Sequence, residues 1–158
     1  MDSLNKPEPK AASLSELEPI IRERLAEGKT VRFSPMGTSM LPMLRQGKDS
    51  VVLSSFEEAG IKKYDVLFYK RKGGQFVLHR AVKLCPDGSF LCICDNQINT
   101  EKVERGQLIG VLKAFYRGER YVSVRSLTYR AYVCFWHGVI RPLRKLRSNI
   151  RKFFKKSK

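Results

Sequence analysis

A serine, a histidine and an acidic residue, spread over the first hundred positions, carry the chemistry available to this sequence. Ser39 lies in Ser34-Pro35-Met36-Gly37-Thr38-Ser39-Met40-Leu41-Pro42-Met43-Leu44-Arg45-Gln46-Gly47, a stretch rich in small residues, Pro and Met and poor in charge. Gly37 permits unusual backbone angles just before the serine. Pro42 suits a helix start or a fixed turn just after it. A serine presented at such a turn can have free main-chain N–H groups beside it, the usual construction of an oxyanion site. On composition alone an ordinary loop serine is the favoured reading. His79 sits among apolar neighbours in Phe76-Val77-Leu78-His79-Arg80-Ala81-Val82, a strand pattern. A lone strand histidine is commonly structural. Histidine is also the side chain best matched to general-base work near neutral pH, and beside a serine it can take the hydroxyl proton during attack on a carbonyl. Asp95-Asn96 closes an apolar run. A carboxylate there can fix the imidazole tautomer, or it can simply be a turn residue.

The elements that must position these residues follow from hydrophobic spacing. Leu14, Leu17, Ile20, Ile21 and Leu25 recur at helical intervals, with capping-box pairs Ser13/Glu16 and Ser15/Glu18, Pro19 expected in the first turn and Gly28 at the end. Short β-like runs follow at Thr30–Phe33, Val51–Leu53, Val66–Lys70, Gln75–Leu84, Phe90–Cys94, Leu108–Tyr116 and Arg120–Val124. The turns Lys72-Gly73-Gly74, Pro86-Asp87-Gly88 and Arg117-Gly118-Glu119 predict three hairpins. Closely spaced short strands of this kind predict a mainly β fold, with antiparallel sheets coiled into an open barrel-like core. A short N-terminal helix and a basic C-terminal helix flank it.

At 158 residues and 42% apolar content, the chain is sized for one folded core and excludes wholesale disorder and a polytopic membrane protein. Its net charge of +16 is unevenly placed. Glu119 is the last acidic residue; the 39 residues from Arg120 to Lys158 hold 12 basic ones, which leaves residues 1–119 at a net of only +4. The expected organisation is a disordered lead-in over 1–13, an amphipathic helix over 14–28, a core over 29–126 and a basic amphipathic tail over 127–158. In the tail Trp136, Ile140, Leu143, Leu146, Ile150 and Phe153 recur every three or four residues between arginines and lysines, the pattern of a helix lying on an anionic membrane surface. Docking of that stripe on the core and binding of nucleic acid are the competing expectations. No run of about 20 apolar residues occurs, so no spanning helix is expected, and no signal peptide is read at the start. The four cysteines have no C-x-x-C spacing, and small buried thiols are expected. No cofactor or metal is predicted.

Read together, the boxes resemble the signal peptidase I superfamily, whose catalytic core is shared with the self-cleaving SOS-response repressors. Gly37-Thr38-Ser39-Met40-Leu41-Pro42-Met43-Leu44 resembles the family's nucleophile box. Gly47-Lys48-Asp49-Ser50-Val51-Val52-Leu53 resembles the strand after it, with Lys48 inserted. Lys63-Tyr64-Asp65-Val66-Leu67-Phe68-Tyr69 resembles the Gly-Asp-Val-Val-x-Tyr strand, with Tyr64 in place of glycine. Leu78-His79-Arg80-Ala81-Val82 resembles the general-base strand, Cys94-Asp95-Asn96 the Gly-Asp-Asn box and Gly106-Gln107-Leu108-Ile109-Gly110-Val111 the closing strand. The match spans residues 29–115. Histidine rather than lysine at the base position places the resemblance with the Ser–His branch.

The resemblance implies a serine endopeptidase cleaving a precursor or leader peptide with small side chains near the cut. Ser39 would be the nucleophile, with its own N–H as an oxyanion donor, and His79 the general base. Asp95, by its place in the box, is the preferred carboxylate to orient the imidazole; Glu101 is the alternative, expected in a loop. Two other readings remain at this point: a repressor-like regulator binding nucleic acid, and an inactive relative that only binds peptides. The expected location is peripheral, on the cytoplasmic face of a membrane.

Overall fold

A computed structural model describes residues 14–56, 60–97 and 99–147. The expected lead-in, the Ser13 cap and the Ile150 and Phe153 end of the tail stripe lie outside the described residues. The chain runs α1 (Leu14–Ala26), β1 (Val31–Phe33), β2 (Asp49–Ser54), β3 (Val66–Lys70), β4 (Phe76–Leu84), β5 (Phe90–Ile93), β6 (Thr100–Val103), β7 (Leu108–Arg117), β8 (Arg120–Ser123) and α2 (Leu127–Phe135). All strands join one antiparallel sheet in the order β1-β2-β7-β3-β4-β5-β6, with β8 also paired to β7. The path ends at β1 and β6, so the sheet is open.

The three hairpins form where the glycine turns predict them, as β3–β4, β4–β5 and β7–β8. Bulges at Val52/Leu53, Phe68/Tyr69 and Ala81/Lys83 bend the strands and increase their twist. Both faces of the central strands are therefore covered. Val66 and Phe68 of β3 join a core under the two helices, while Leu67 and Tyr69, pointing the other way, join a second core with Ala81, Cys92 and Val103. Cys92 and Cys94 are buried as their strand pattern predicts, whereas Cys85 is half-buried and Cys134 exposed.

α1 lays Ile21 and Leu25 on the first core. Pro19 falls inside the helix rather than in its first turn. The helix can approach β7 only because Gly110 has no side chain: a Cβ there would stand 2.9 Å from Leu25 Cδ1 and 3.1 Å from the Ser54 carbonyl oxygen.

At the other end Ser126 caps α2, its hydroxyl accepting the Tyr129 N–H at 3.3 Å. The helix passes through a π-turn at Trp136–Ile140 and continues over 141–147. That wider turn changes the phase of the helix, and the expected single apolar stripe divides. Trp136 and Ile140 are half-buried, while Leu143 and Leu146 join Phe135 and Val139 on the exposed surface, each of the four 45–58% accessible. The tail thus both docks on the core and keeps an outward apolar face. No described helix is long and apolar enough to cross a membrane.

Candidate active site

His79 is positioned by β4, between Leu67 of β3 on one side and the β5–β6 pair on the other. Its imidazole is nearly buried, with 9% of the side chain exposed. Nδ1 lies 2.5 Å from Glu101 Oε1 and 2.9 Å from the Tyr69 hydroxyl. The Tyr69 O–H in turn donates to Glu101 Oε1. Arg71 clamps the same carboxylate, donating from Nε to Oε2 at 2.8 Å and from Nη2 to Oε1 at 3.0 Å. An ionised carboxylate only accepts, so Nδ1 carries the proton and the lone pair is left on Nε2. Nε2 makes no hydrogen bond among the described residues.

Burial holds the imidazole below its ordinary pKa, against an upward pull from Glu101. Burial also pushes the Glu101 carboxyl upward, but hydrogen bonds from Arg71 and Tyr69, with His79, outweigh it and keep the group below the usual carboxylate range. Burial and the adjacent Glu101 raise the Tyr69 phenol, which stays protonated and able to donate.

The carboxylate on His79 is thus Glu101, the alternative in the sequence reading, and Asp95 is engaged elsewhere. The physical reason is strand alternation. His79 and Arg80 are adjacent on β4 and point to opposite faces. Asp95 lies on Arg80's side, accepting from Nε at 2.9 Å and from Nη2 at 2.6 Å, with both side chains fully buried. Arg80 further donates to the Tyr129 hydroxyl at 2.8 Å, the Tyr64 carbonyl at 3.0 Å and the Met43 sulfur at 3.2 Å. Burial would raise the Asp95 carboxyl, but Arg80 more than offsets this and holds it low. Asp95 therefore ties the sheet to α2.

The sequence reading missed β6 and so left Glu101 in a loop. Thr100-Glu101-Lys102-Val103 buries only Val103 and has no apolar alternation to announce a strand. Register alone brings Glu101 in, across from Cys92, which is itself across from Ala81, two residues beyond His79 on the same face. Tyr69 and Arg71 were not singled out either. Their spacing of two puts them on one side of β3 and its extension, but nothing in the sequence says which strand they would face.

Ser39 is half-buried in the turn between β1 and β2. Gly37 has φ 92°, in the region that favours glycine, and its N–H donates to Gln46 Oε1 at 3.0 Å. Residues 38–43 form turns rather than a helix at Pro42, with Leu41 N–H to the Thr38 carbonyl at 3.2 Å and Leu44 N–H to the Met40 carbonyl at 2.9 Å. Met40, Met43 and Leu44 anchor the turn in the first core, which explains the apolar composition of this loop. The loop ends on Asp49, whose carboxylate accepts from Arg45 at 2.8 Å and from the Gly118 N–H at 3.0 Å.

The Ser39 carbonyl accepts the Asn96 N–H at 3.0 Å. The serine is thereby fastened to the turn that follows β5, and no hydrogen bond joins Ser39 to His79 among the described residues. The Ser39 N–H has no partner among the described residues. The C-terminal helix braces this junction from outside: Trp136 Nε1 donates to the Asp95 carbonyl at 3.3 Å, Arg141 to the Cys94 carbonyl at 3.1 Å and Arg144 to the Asn96 carbonyl at 2.8 Å. Among the described residues no group of three or more His, Cys, Asp or Glu side chains could hold a metal ion.

No family model matches the chain, and a search of curated proteins returned no significant match.

Proposed function

We propose that the chain is a serine endopeptidase of signal peptidase type, cleaving a precursor or leader peptide. The observation that carries this reading is the state of His79, with Nδ1 held by an anionic carboxylate and Nε2 without a hydrogen bond among the described residues. On this reading Ser39 Oγ attacks the scissile carbonyl as His79 Nε2 takes its proton. The Ser39 N–H stabilises the oxyanion. The imidazolium then protonates the leaving amine, and a water, deprotonated by the same nitrogen, hydrolyses the acyl-enzyme. Glu101 holds the tautomer and stabilises the imidazolium.

The test is acylation. An electrophilic serine-directed inhibitor should label Ser39 stoichiometrically, with the adduct located by mass spectrometry, and labelling should vanish in Ser39→Ala and fall steeply in His79→Ala. A protein that binds peptides yet never acylates would be the inactive relative instead.

The reaction is assigned to an anionic membrane surface at its cytoplasmic face. The exposed row Phe135, Val139, Leu143 and Leu146 supports this location, as do the exposed Arg130, Lys145 and Arg147 of the same helical segment.

A further inference from the structure

A second site lies on the opposite side of Arg80 from His79, where the β7–β8 hairpin meets α2. The hairpin register sets Phe115 across from Val122 and Arg117 across from Arg120. These four residues share one face and line a cavity of about 190 Å³ closed by Tyr129 and Tyr132. Phe115, Val122 and Tyr129 make its apolar part, and the two arginines are exposed.

Like charges placed directly across a hairpin repel, and neither guanidinium forms an ion pair or hydrogen bond among the described residues. Glu119, in the turn between them, is exposed and forms no ion pair with either among the described residues, and the carboxylate of Asp49, Arg117's partner on β2, is occupied by Arg45 and the Gly118 N–H. Tyr132 lines the wall with its ring, while its hydroxyl is buried with no hydrogen-bond partner among the described residues. Two exposed cations without an ion-pair partner among the described residues and an apolar lining suit an anion attached to hydrocarbon.

The cavity would hold about six waters at roughly 30 Å³ each. That accommodates a phosphoester and its first carbons, not a lipid chain. The chain has somewhere to go: Phe135, three residues beyond Tyr132, begins the exposed apolar row that continues through Val139.

We propose that this cavity binds the headgroup phosphate of one anionic phospholipid, held by Arg117 and Arg120 with its acyl chains running along the Phe135 face. The inference rests on the membrane-surface reading for the source of the lipid and is independent of the peptidase reading. The bound headgroup touches the machinery at one remove, because the cavity is also lined by Met43 of the Ser39 loop and by Tyr129, both partners of Arg80.

The chain has one tryptophan, Trp136, stacked on Tyr132 with centroids 6.1 Å apart, and its fluorescence reports the site. The full chain carrying Ser39→Ala should be titrated with dihexanoyl phosphatidylglycerol below its micelle concentration, and in parallel with dihexanoyl phosphatidylcholine and inorganic phosphate. Saturable binding of the phosphatidylglycerol is expected, at least tenfold tighter than either control, with a rise in melting temperature. The double variant Arg117→Gln/Arg120→Gln should melt no lower than the parent without lipid, bind at least tenfold more weakly and lose the thermal shift.

Equal affinity for inorganic phosphate would make this a plain anion site and overturn the proposal. So would the absence of saturable binding, equal binding of phosphatidylcholine, or binding that survives in the double variant. Leu143→Ser/Leu146→Ser, further along the row from the cavity, separates the two membrane statements: it should cut vesicle binding at least tenfold and leave binding of the monomeric lipid unchanged. Vesicle binding without a monomeric-lipid site would leave the membrane reading standing and remove this one.

Discussion

Glu101 and Asp95 are both acids within reach of β4, and their surroundings give them opposite consequences on substitution. Glu101 is 28% exposed and shares its charge with Arg71, so Glu101→Gln should fold. It should lower kcat by about 10²–10⁴, the cost of a wrongly held imidazole tautomer, in a peptide-cleavage assay with the melting temperature little changed. Asp95→Ala strips the partner from a fully buried arginine. It should cost about 3–5 kcal/mol of stability by denaturant unfolding, since breaking one half of a buried pair leaves an uncompensated charge. Full stability with lost cleavage in Asp95→Ala would reverse these assignments. The pH dependence follows from the same atoms. On the proposed mechanism cleavage requires a neutral imidazole, so kcat/KM should fall as pH drops through the His79 pKa, which burial has lowered from 6.5. The acid limb should therefore have its midpoint below 6.5. Arg71 also depresses that pKa through its charge, so Arg71→Met should move the limb to higher pH along with any loss in rate. A limb that stayed in place would remove Arg71 from the electrostatics of the base.

At the scale of elements, the parts legible in the sequence were those announced by periodicity or by glycine. The hairpins, β3 with its bounds at Val66–Lys70, and α1 all follow from apolar spacing and turn residues. Ser39 and His79 could be singled out because their neighbours are unusual for a loop and for a strand histidine. The identity of the carboxylate was not legible, because it depends on a short polar edge strand and on two successive registers. Neither leaves a local mark on the sequence. The π-turn was equally silent, and it decides which tail residues face outward. Close packing between elements is also set by single residues. Gly110→Ala would push a methyl against Leu25 and the Ser54 carbonyl, and such overpacking typically costs about 1–3 kcal/mol. Leu25→Ala itself costs about 2–5 kcal/mol as a buried leucine, so the two are compared in a double-mutant cycle by denaturant unfolding: in the Leu25→Ala background the Gly110→Ala penalty should be only partly relieved, because the Ser54 oxygen belongs to backbone and cannot withdraw. Complete recovery would show that the side chain alone sets the approach of α1.

For the whole molecule, the uneven charge becomes an arrangement in space. Over its described residues, 127–147, the basic segment is not a detached tail, because its arginines are used in two directions. Arg141 and Arg144 reach inward to the carbonyls of residues 94 and 96, next to the turn that holds Ser39. Arg130, Lys145 and Arg147 stay on the exposed surface near the Phe135–Leu146 row. An anionic bilayer contacting this face gains on the order of 1 kcal/mol per basic residue, screened by salt, and more from each apolar side chain it buries, about 1.5–3 kcal/mol at full burial. Binding to phosphatidylglycerol-containing vesicles, measured by co-sedimentation, should exceed binding to phosphatidylcholine vesicles at low salt and weaken steadily toward ~0.5 M. Phe135→Ser/Leu143→Ser should cut it by at least tenfold even at low salt, where electrostatics is strongest, with the melting temperature unchanged because both side chains are already exposed. Binding that responded to salt but not to these substitutions would mean attraction without insertion. The helix would then act as a brace for the Cys94–Asn96 turn alone.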